Sequence, residues 1–469
     1  MKIVLSPVVV RQYLIATVVN FGSLTTGISL FWASPMLVKL RNGTDTPLSR
    51  PITEEEGSWI VSGGYLAAVG TTLLGGILID KIGRKYCIIL VTIPRICASI
   101  WTIFVTEVWM LIVCRTVMIF TDSFIFIVVP MYVSEIASKE HRGALGTFLH
   151  IVSCLGIVIT LGVGPFLSYV ELNAFLAITI IVTFLPVPFL PDSPIYLYSK
   201  GRIDEAINVL SKVRESDAII KQELEDYRSS KQIKVNKMAL IRDRTFLKSL
   251  ALGILVCAGA NMIGYSAISF YLQTIFESTN TSVAPEIASL VIGCIQLLAA
   301  LCTTIFTKIF GRRPILIYSL LGMFVGMLGL GIFFTFSTKE GYVITGFLNY
   351  LPIISMILCT YNFNVGIGCL LLVVTAELFD GTARAFGYSI CLTSSLFLAF
   401  LSSKYFVQFT SVLGPSATYW FFSAMCLLVC ILIALFLPET KGKTFNEIQV
   451  SLGSQRLVDE PGTSQIQKF

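Results

Sequence analysis

Long apolar runs recur along the whole chain, separated by short polar segments. Each run is long enough to form an α-helix that crosses the hydrocarbon core of a bilayer, which takes about 20 residues. The pattern therefore predicts an all-α polytopic membrane protein. The twelve predicted spans cover residues 12–32, 58–79, 87–105, 109–130, 144–168, 172–190, 246–272, 286–309, 315–336, 347–376, 385–409 and 415–437.

A polar segment separates the first six spans from the last six. Its sequence, SKGRIDEAINVLSKVRESDAIIKQELEDYRSS, has apolar residues at helical spacing. This spacing predicts short amphipathic helices, with a merely solvated linker as the alternative. The predicted domains are an N-terminal six-helix bundle at 1–190, a linker at 191–245, a C-terminal six-helix bundle at 246–437 and a tail at 438–469.

Two short motifs occur once in each half of the chain. Gly83-Arg84-Lys85 recurs as Gly311-Arg312-Arg313, and the segment EIASKEHRGALG at 135 recurs as ELFDGTARAFG at 377. The motifs keep the same order, which predicts two parallel bundles related by an axis along the membrane normal.

Composition and charge exclude a soluble enzyme and give an orientation. Charged residues make up 13% of the chain and mean hydropathy is +0.81, whereas soluble domains carry about 25% charged residues. With both termini cytoplasmic, only Lys39, Arg41, Arg50 and Lys339 of the 34 basic residues fall in external loops. This bias follows the positive-inside rule, so the net charge of +6 needs no nucleic-acid partner.

Glycosylation sequons and cysteines agree with this topology. The two sequons, at Asn42 and Asn280, both fall in loops predicted to be external. The twelve cysteines lie in or beside apolar segments, so we expect no external disulfide framework. The two histidines come without a CxxC or HExxH spacing, and there is no GxxxxGK[ST] loop. We therefore expect no metal, no cofactor and no ATP-driven pump.

The charged turns between spans predict a cytoplasmic gate. Basic residues on a tight turn stay at the inner surface, and carboxylates at neighbouring helix ends can pair with them. Such pairs predict a latch that parts whenever the cytoplasmic side opens, with simple anchoring of topology as the alternative. The predicted gate residues are Asp80, Arg84, Lys85, Glu135, Arg142, Arg312, Arg313, Glu377, Arg384 and Glu439.

Two opposite charges lie within neighbouring spans. Asp122 in span four and Arg95 in span three are seven to eight residues from the inner ends of antiparallel helices, so their depths agree to about 2 Å. A charge inside the membrane costs about 2.5–3.5 kcal/mol on insertion scales and normally has a partner. We predict a structural ion pair, with a proton relay as the alternative.

Several segments together resemble the sugar porter family of the major facilitator superfamily. They are GGILIDKIGRK, PMYVSEIASKEHRGALG from Pro130, GRRP from 311 and LPETKGKTFNEI from 437, supported by Arg115. The resemblance extends from about 12 to 449 and is strongest to the branch of facilitated trehalose transporters. It implies a hexose or disaccharide site between the halves, reached by alternating access. We expect a monomer in the plasma membrane.

The same resemblance implies a set of sugar-binding positions. They are His150, Asn261, Tyr265, Ser266, Tyr271, Gln296 and Asn364. Other family positions are replaced by apolar residues: the proline- and tryptophan-containing run of span ten is Gly366 to Leu372, and span eleven has Leu396 and Ala399. We therefore expect weaker sugar binding and the loss of a hinge in span ten. A non-transporting sugar sensor and a carrier of another small polar solute are the alternatives.

Two further departures bear on mechanism. Ile28-Ser29 occupies the place where proton symporters of the family carry an acid, which favours facilitated diffusion. Lys308 stands where the first repeat has Asp80, and Ile195-Tyr196 stands where relatives place an arginine. Both changes remove attraction from the gate and predict a bias toward the inward-open state.

Overall fold

The structure is a computed structural model in which the chain is α-helical. It describes residues 6–43, 45–138, 141–230, 243–279, 283–339, 346–379, 384–443 and 445–451. Over these residues there are only helices, turns and irregular segments, and no strand.

Helices occupy all twelve predicted spans. In the N half they are Pro7–Phe31 with Ala33–Asn42 (span one), Glu54–Ile82 (two), Arg84–Ile103 (three), Val108–Ile136 (four), Arg142–Val163 (five) and Tyr169–Phe184 (six). In the C half they are Arg244–Met262 with Tyr265–Phe270 and Leu272–Thr279 (seven), Pro285–Ile309 (eight), Arg312–Ser337 (nine), Leu351–Val365 with Ile367–Glu377 (ten), Arg384–Leu413 (eleven) and Pro415–Phe436 (twelve).

Length and composition allow most of these helices to cross a membrane. Within the described residues, 10 are long and apolar enough, and span two, bent by 56° after Thr72, is an eleventh. The apolar part of span five, Phe148–Val163, is shorter. The predicted all-α twelve-helix fold is confirmed.

Local sequence signals explain several helix ends. Thr53 and Ser168 cap spans two and six, and each forms a capping box with the glutamate three residues later. Span two ends at Gly83, whose φ of +88° favours glycine. A Cβ at Gly83 would also lie 2.7 Å from the Tyr196 ring. The tight charged turn therefore requires glycine at position 83.

Small residues let spans one and five approach each other closely. A Cβ at Gly27 of span one would lie 2.0 Å from the carbonyl oxygen of Ser153. On span five, a Cβ at Gly156 would lie 2.2 Å from the carbonyl oxygen of Leu24. Backbone contact through glycine is typical of helix packing in membranes.

The linker forms the predicted amphipathic helices, which dock on the N half. They are Pro194–Ser199, Ile203–Val213 and Asp217–Ser230. Arg214 donates to the carbonyl of Ile136 at 2.7 Å, and Gln12 donates to the carbonyl of Val213 at 2.7 Å. The predicted tail includes the helix Phe445–Ser451, whereas residues 231–242 of the linker and 452–469 of the tail lie outside the described residues.

Contacts between spans two and eleven show that both repeated turns lie on one side of the molecule. Lys404 of span eleven donates to Ser58 at 2.9 Å, and the Thr393 and Thr72 hydroxyls are 2.7 Å apart. The two spans are therefore antiparallel, so span eleven begins on the side where span two ends at Gly83. Arg312 pairs with the end of span ten on that same side. We call it the basic side, and the other the opposite side.

Candidate substrate site and its gates

A cluster of polar side chains lies where spans seven and eleven meet. Asn261 donates to the Ser395 hydroxyl at 2.9 Å and accepts from Ser266 at 3.4 Å. Asn261 lies in the last turn of the first helix of span seven, three residues before the break at Gly264. Gly264 has a φ of +77°, and a Cβ there would lie 2.6 Å from the Phe422 ring. The break therefore needs glycine and lets Asn261 and Ser266 face each other.

Span ten adds an amide and an aromatic ring to this cluster. Asn364 donates to the Tyr265 hydroxyl at 3.3 Å, and the Tyr265 and Phe363 rings stack with centroids 3.9 Å apart. Thr303 of span eight donates to the carbonyl of Asn364 at 3.1 Å. Four predicted sugar-binding residues, Asn261, Tyr265, Ser266 and Asn364, are therefore brought together.

Three other predicted sugar-binding residues lie outside this hydrogen-bonded cluster. Gln296 is buried on span eight, and its amide oxygen has no hydrogen-bond partner among the described residues. His150 is half-buried on span five, with its ring nitrogen 3.8 Å from the Cys154 sulfur. Tyr271 is buried and stacks on Phe406 with centroids 5.4 Å apart.

Sequence reasoning missed Ser395 as a member of the cluster. The resemblance indicated Leu396 and Ala399 as the positions of interest in span eleven. The signal that could have found it is a run of consecutive polar residues, Thr393, Ser394 and Ser395, in an otherwise apolar span.

The expected loss of a hinge in span ten is wrong. The span still breaks at Gly366, where the helix Leu351–Val365 ends and Ile367–Glu377 begins. The freed N–H of Ile367 donates to the Ser319 hydroxyl at 3.2 Å, and a Cβ at Gly366 would lie 2.1 Å from the Ser319 side chain. A glycine backed by a serine on span nine replaces the prolines.

The predicted ion pair between spans three and four is confirmed. Arg95 and Asp122 are 2.5 Å apart, and each side chain is only 1% exposed. Thr26 of span one bridges them, accepting from Arg95 at 3.3 Å and donating to Asp122 at 3.2 Å. The pair therefore ties three helices of the N half together.

A second buried arginine lies close to the predicted place of the symporter acid. Arg115 donates to the carbonyl of Ser29 at 2.9 Å, and its guanidinium lies 4.6 Å from the centre of the Trp32 ring. Trp32 in turn donates to Asn173 at 2.9 Å. Ser29 thus meets Arg115 with a carbonyl and a hydroxyl, neither of which titrates.

Three of the predicted gate residues of the N half pair with one another. Arg84 and Glu135 are 2.8 Å apart and both are nearly buried, and Asp80 lies 3.9 Å from Arg84. Ser193 of the linker also donates to Glu135. Lys85 acts on nearby Asp192: burial raises the pKa of that carboxyl, and the positive charge of Lys85 counters the rise.

The C half repeats this arrangement. Arg312 and Glu377 are 3.5 Å apart, and the Thr440 hydroxyl donates to Glu377 at 2.5 Å. Glu439 accepts from the backbone N–H groups of Arg312 and Arg313 at 2.8 and 3.2 Å. A carboxylate at these first N–H groups of span nine interacts favourably with the helix dipole.

These pairs differ from the predicted latch in one respect. Each joins partners within the same half, so none of them crosses between the halves in this conformation. Tyr196, at the place of the family arginine, donates to the carbonyl of Lys81 at 3.2 Å, and Lys441 donates to the carbonyl of Lys308 at 2.6 Å. The side chains of Arg142 and Arg384 lie outside the described parts of the chain.

On the opposite side the two halves touch. The Ser34 hydroxyl of span one accepts from the backbone N–H of Gln273 in span seven at 3.3 Å. Phe270 packs against Tyr65 with ring centroids 5.8 Å apart. The opposite side is therefore closed.

Of the two sequons, one is visible at this closed side. Asn42 is exposed at the end of the helix Ala33–Asn42, and Asn280 lies outside the described residues. Among the residues that the structure describes, no group of three or more His, Cys, Asp or Glu side chains is placed to hold a metal ion.

The fold has two six-helix bundles, and the C half holds a polar cluster formed by spans seven, eight, ten and eleven. The chain belongs to the sugar (and other) transporter family, whose model matches residues 15–452. This family, the sugar porters of the major facilitator superfamily, is the one indicated by the sequence motifs, and its members are transporters rather than enzymes.

Several known proteins are similar along nearly their whole length. The facilitated trehalose transporter Tret1 of Polypedilum vanderplanki is 26% identical over 449 residues, covering 93% of this chain and 87% of the relative. The human solute carrier family 2 facilitated glucose transporter member 6 is 26% identical, covering 94% and 90%. The inward open xylose transporter XylE of E. coli has a TM-score of 0.78 at 18% identity, covering 94% and 99%.

Proposed function

We propose that the protein carries a carbohydrate, trehalose or a hexose, across the membrane by facilitated diffusion. The cluster of Asn261, Ser266, Ser395, Tyr265 and Asn364 carries this proposal, in a chain whose relatives are named as trehalose and glucose transporters. Sugars are held by several hydrogen bonds, each worth about 0.5–1.5 kcal/mol, together with contacts to aromatic rings. The cluster supplies amides, hydroxyls and a stacked ring pair.

The remaining predicted residues complete the proposed site. The unpartnered amide oxygen of Gln296 is an acceptor for a sugar hydroxyl. His150 is proposed to reach the sugar from the N half, because imidazole donates and accepts hydrogen bonds. Tyr271, also without a hydroxyl partner among the described residues, is proposed to face the sugar when the opposite side opens.

The buried charges support transport without proton coupling. Asp122 is held at 2.5 Å from Arg95, and Ser29 offers no acid. Releasing Asp122 for a proton would leave Arg95 unpaired inside the bundle, which is costly. The proposal therefore treats this pair as structural.

Orientation and location form part of the same proposal. The bias of basic residues supports a cytoplasmic location for the basic side and for both termini. Asn42 on the opposite side, and Asn280 in a loop predicted to lie there, are then positions for glycans, as in a plasma-membrane protein. We propose that the protein works as a monomer.

The proposed mechanism is alternating access between the two halves. While the basic side is open, each half keeps its described gate charges paired internally. The closed opposite side, and the lack of an ion pair between the halves among the gate residues whose side chains are described, support an inward-facing resting state. Glu135 and Glu377 are proposed to exchange partners between halves when the basic side closes.

Counterflow of labelled sugar into proteoliposomes tests this function. Proteoliposomes that contain the purified protein are loaded with unlabelled trehalose, glucose or fructose. Entry of the same labelled sugar is then followed with and without a pH gradient. We expect saturable exchange of at least one sugar and no accumulation when a pH gradient is imposed. Accumulation driven by the gradient would show a symporter instead.

Asn364 and Asn362 provide a matched pair of variants for the same assay. Asn364→Ala removes an amide of the cluster and is expected to lower exchange at limiting sugar about tenfold. The variant loses the hydrogen bond to the Tyr265 hydroxyl and the proposed hydrogen bond to the sugar, each worth about 0.5–1.5 kcal/mol. Asn362→Ala, on the face of span ten that meets Gly322, is the control and should exchange normally.

A non-transporting sugar sensor is the alternative function. Sugar binding without exchange by the unmodified protein would favour this sensor, and the apolar run from Cys369 to Leu372 also fits it.

A further inference from the structure

Lys404 is a buried cation that neither the substrate cluster nor the basic-side gates use. Its side chain is 6% exposed, and it lies nine residues before the end of span eleven at Leu413. At 1.5 Å per residue this places its Cα about 13 Å inside the helix end. An ionisable residue at such a depth normally has a partner or a role.

Among the described residues, the Lys404 ammonium makes its contacts with span two of the other half. It donates to the Ser58 hydroxyl at 2.9 Å, and it lies 4.2 Å from the centre of the Trp59 ring. The Glu55 carboxylate is 3.9 Å away. We call Lys404, Ser58, Trp59 and Glu55 the Lys404 clasp.

The apolar part of the same face supports the clasp. Phe400 lies one helical turn before Lys404, and its ring centroid is 6.2 Å from that of Trp59. Residues four apart share one face of a helix, so Phe400 and Lys404 hold the Trp59 ring together. The long lysine stem covers apolar surface while the ammonium reaches toward the opposite side.

The contacts in the clasp differ in strength. Glu55 is 71% exposed, and an ion pair to an exposed carboxylate contributes little. The Ser58 hydrogen bond is buried, and the Trp59 ring attracts a cation that has lost its water. Ser58 and Trp59 therefore provide the main attraction.

The clasp has two clear states. While the halves touch, the ammonium has protein partners in place of water. When spans two and eleven separate, all three contacts break together and water entering the cleft solvates the lysine. The clasp can therefore favour the closed state without trapping the protein in it.

We propose that Lys404 holds the opposite side of the transporter closed and so sets the balance between its inward-facing and outward-facing states. The proposal rests on the alternating-access function above. The Lys404 clasp would change the free-energy difference between two conformations and not the choice of sugar.

A distance measurement between the two halves at the opposite side tests this role. Spin labels on noncanonical residues at positions 106 and 412 leave the twelve cysteines in place, and both positions are exposed at the opposite side. In liposomes without sugar, we expect mainly one short distance for the unmodified protein. Lys404→Met should raise the ratio of the long-distance to the short-distance population about tenfold, which corresponds to about 1.4 kcal/mol.

Three further variants make the result specific. Trp59→Leu should produce a similar shift, and combining it with Lys404→Met should add little, because one contact is removed twice. Lys404→Arg keeps the cation and should stay closed. Tyr405→Leu changes a neighbouring exposed residue and is the control, with no shift expected.

The outcomes separate this proposal from the proposed function. An unchanged distance distribution in Lys404→Met, or an equal shift in Tyr405→Leu, would overturn the role of the clasp. The distances are measured without sugar, so failure to transport any sugar leaves this result intact. Conversely, a transporter whose Lys404→Met variant shows no shift still has the proposed function.

Discussion

Charged side chains inside the spans each have particular partners. Arg95 is held by Asp122, Arg115 by Ser29 and Trp32, and Lys404 by span two. Counting depth along two neighbouring helices was enough to predict the first pair. Ser58, a partner of Lys404, lies 346 residues away in the other half. Residue spacing along the sequence does not predict contacts between two halves whose packing changes with conformation.

The Arg95–Asp122 pair gives a prediction about stability. Asp122→Asn or Arg95→Leu alone leaves a buried group without its partner and should lower the free energy of unfolding by about 3–5 kcal/mol. The double variant should lose less than the sum of the two single losses, because no unpaired charge remains. Thermal unfolding of the purified protein measures this, and strictly additive losses would show that the residues are not partners.

Breaks within spans shape the candidate substrate site as much as the side chains do. Span seven breaks at Gly264 and span ten at Gly366, and these breaks let Asn261, Ser266 and Asn364 contribute to one cluster. The hydrophobic pattern predicted the spans themselves. It could not show the break at Gly366, because a mid-span glycine signals a hinge only when a neighbour such as Ser319 accepts the freed N–H group.

Gly366 therefore gives a prediction about this break. Gly366→Ala places a methyl group against Ser319 and should destabilise the protein by about 1–3 kcal/mol while lowering sugar exchange. Adding Ser319→Gly removes the clashing side chain and should restore part of the stability. Gly70→Ala on span two has open space around its new methyl group and serves as the control. Equal losses in Gly366→Ala and Gly70→Ala would mean that the break needs no glycine.

The two halves and their shared basic side followed from the repeated motifs of the sequence. The structure places Arg84 with Glu135 and Arg312 with Glu377, one such pair per half. The repeats could not show that these pairs stay within each half, since sequence alone does not distinguish the conformations of a moving protein. Contacts on the opposite side, such as that between Ser34 and Gln273, show which side is closed.

One cross-linking experiment tests the central claim that sugar crosses as the two halves rock. Ser34→Cys and Gln273→Cys place one thiol on each of two buried residues of opposite halves, which are in contact through the Ser34 hydroxyl and the backbone N–H of Gln273 at 3.3 Å. Oxidation should join the halves and stop sugar counterflow in proteoliposomes, and reduction should restore it. The single variants should be insensitive to oxidation. Sugar exchange that continues in the fully cross-linked protein would contradict the account.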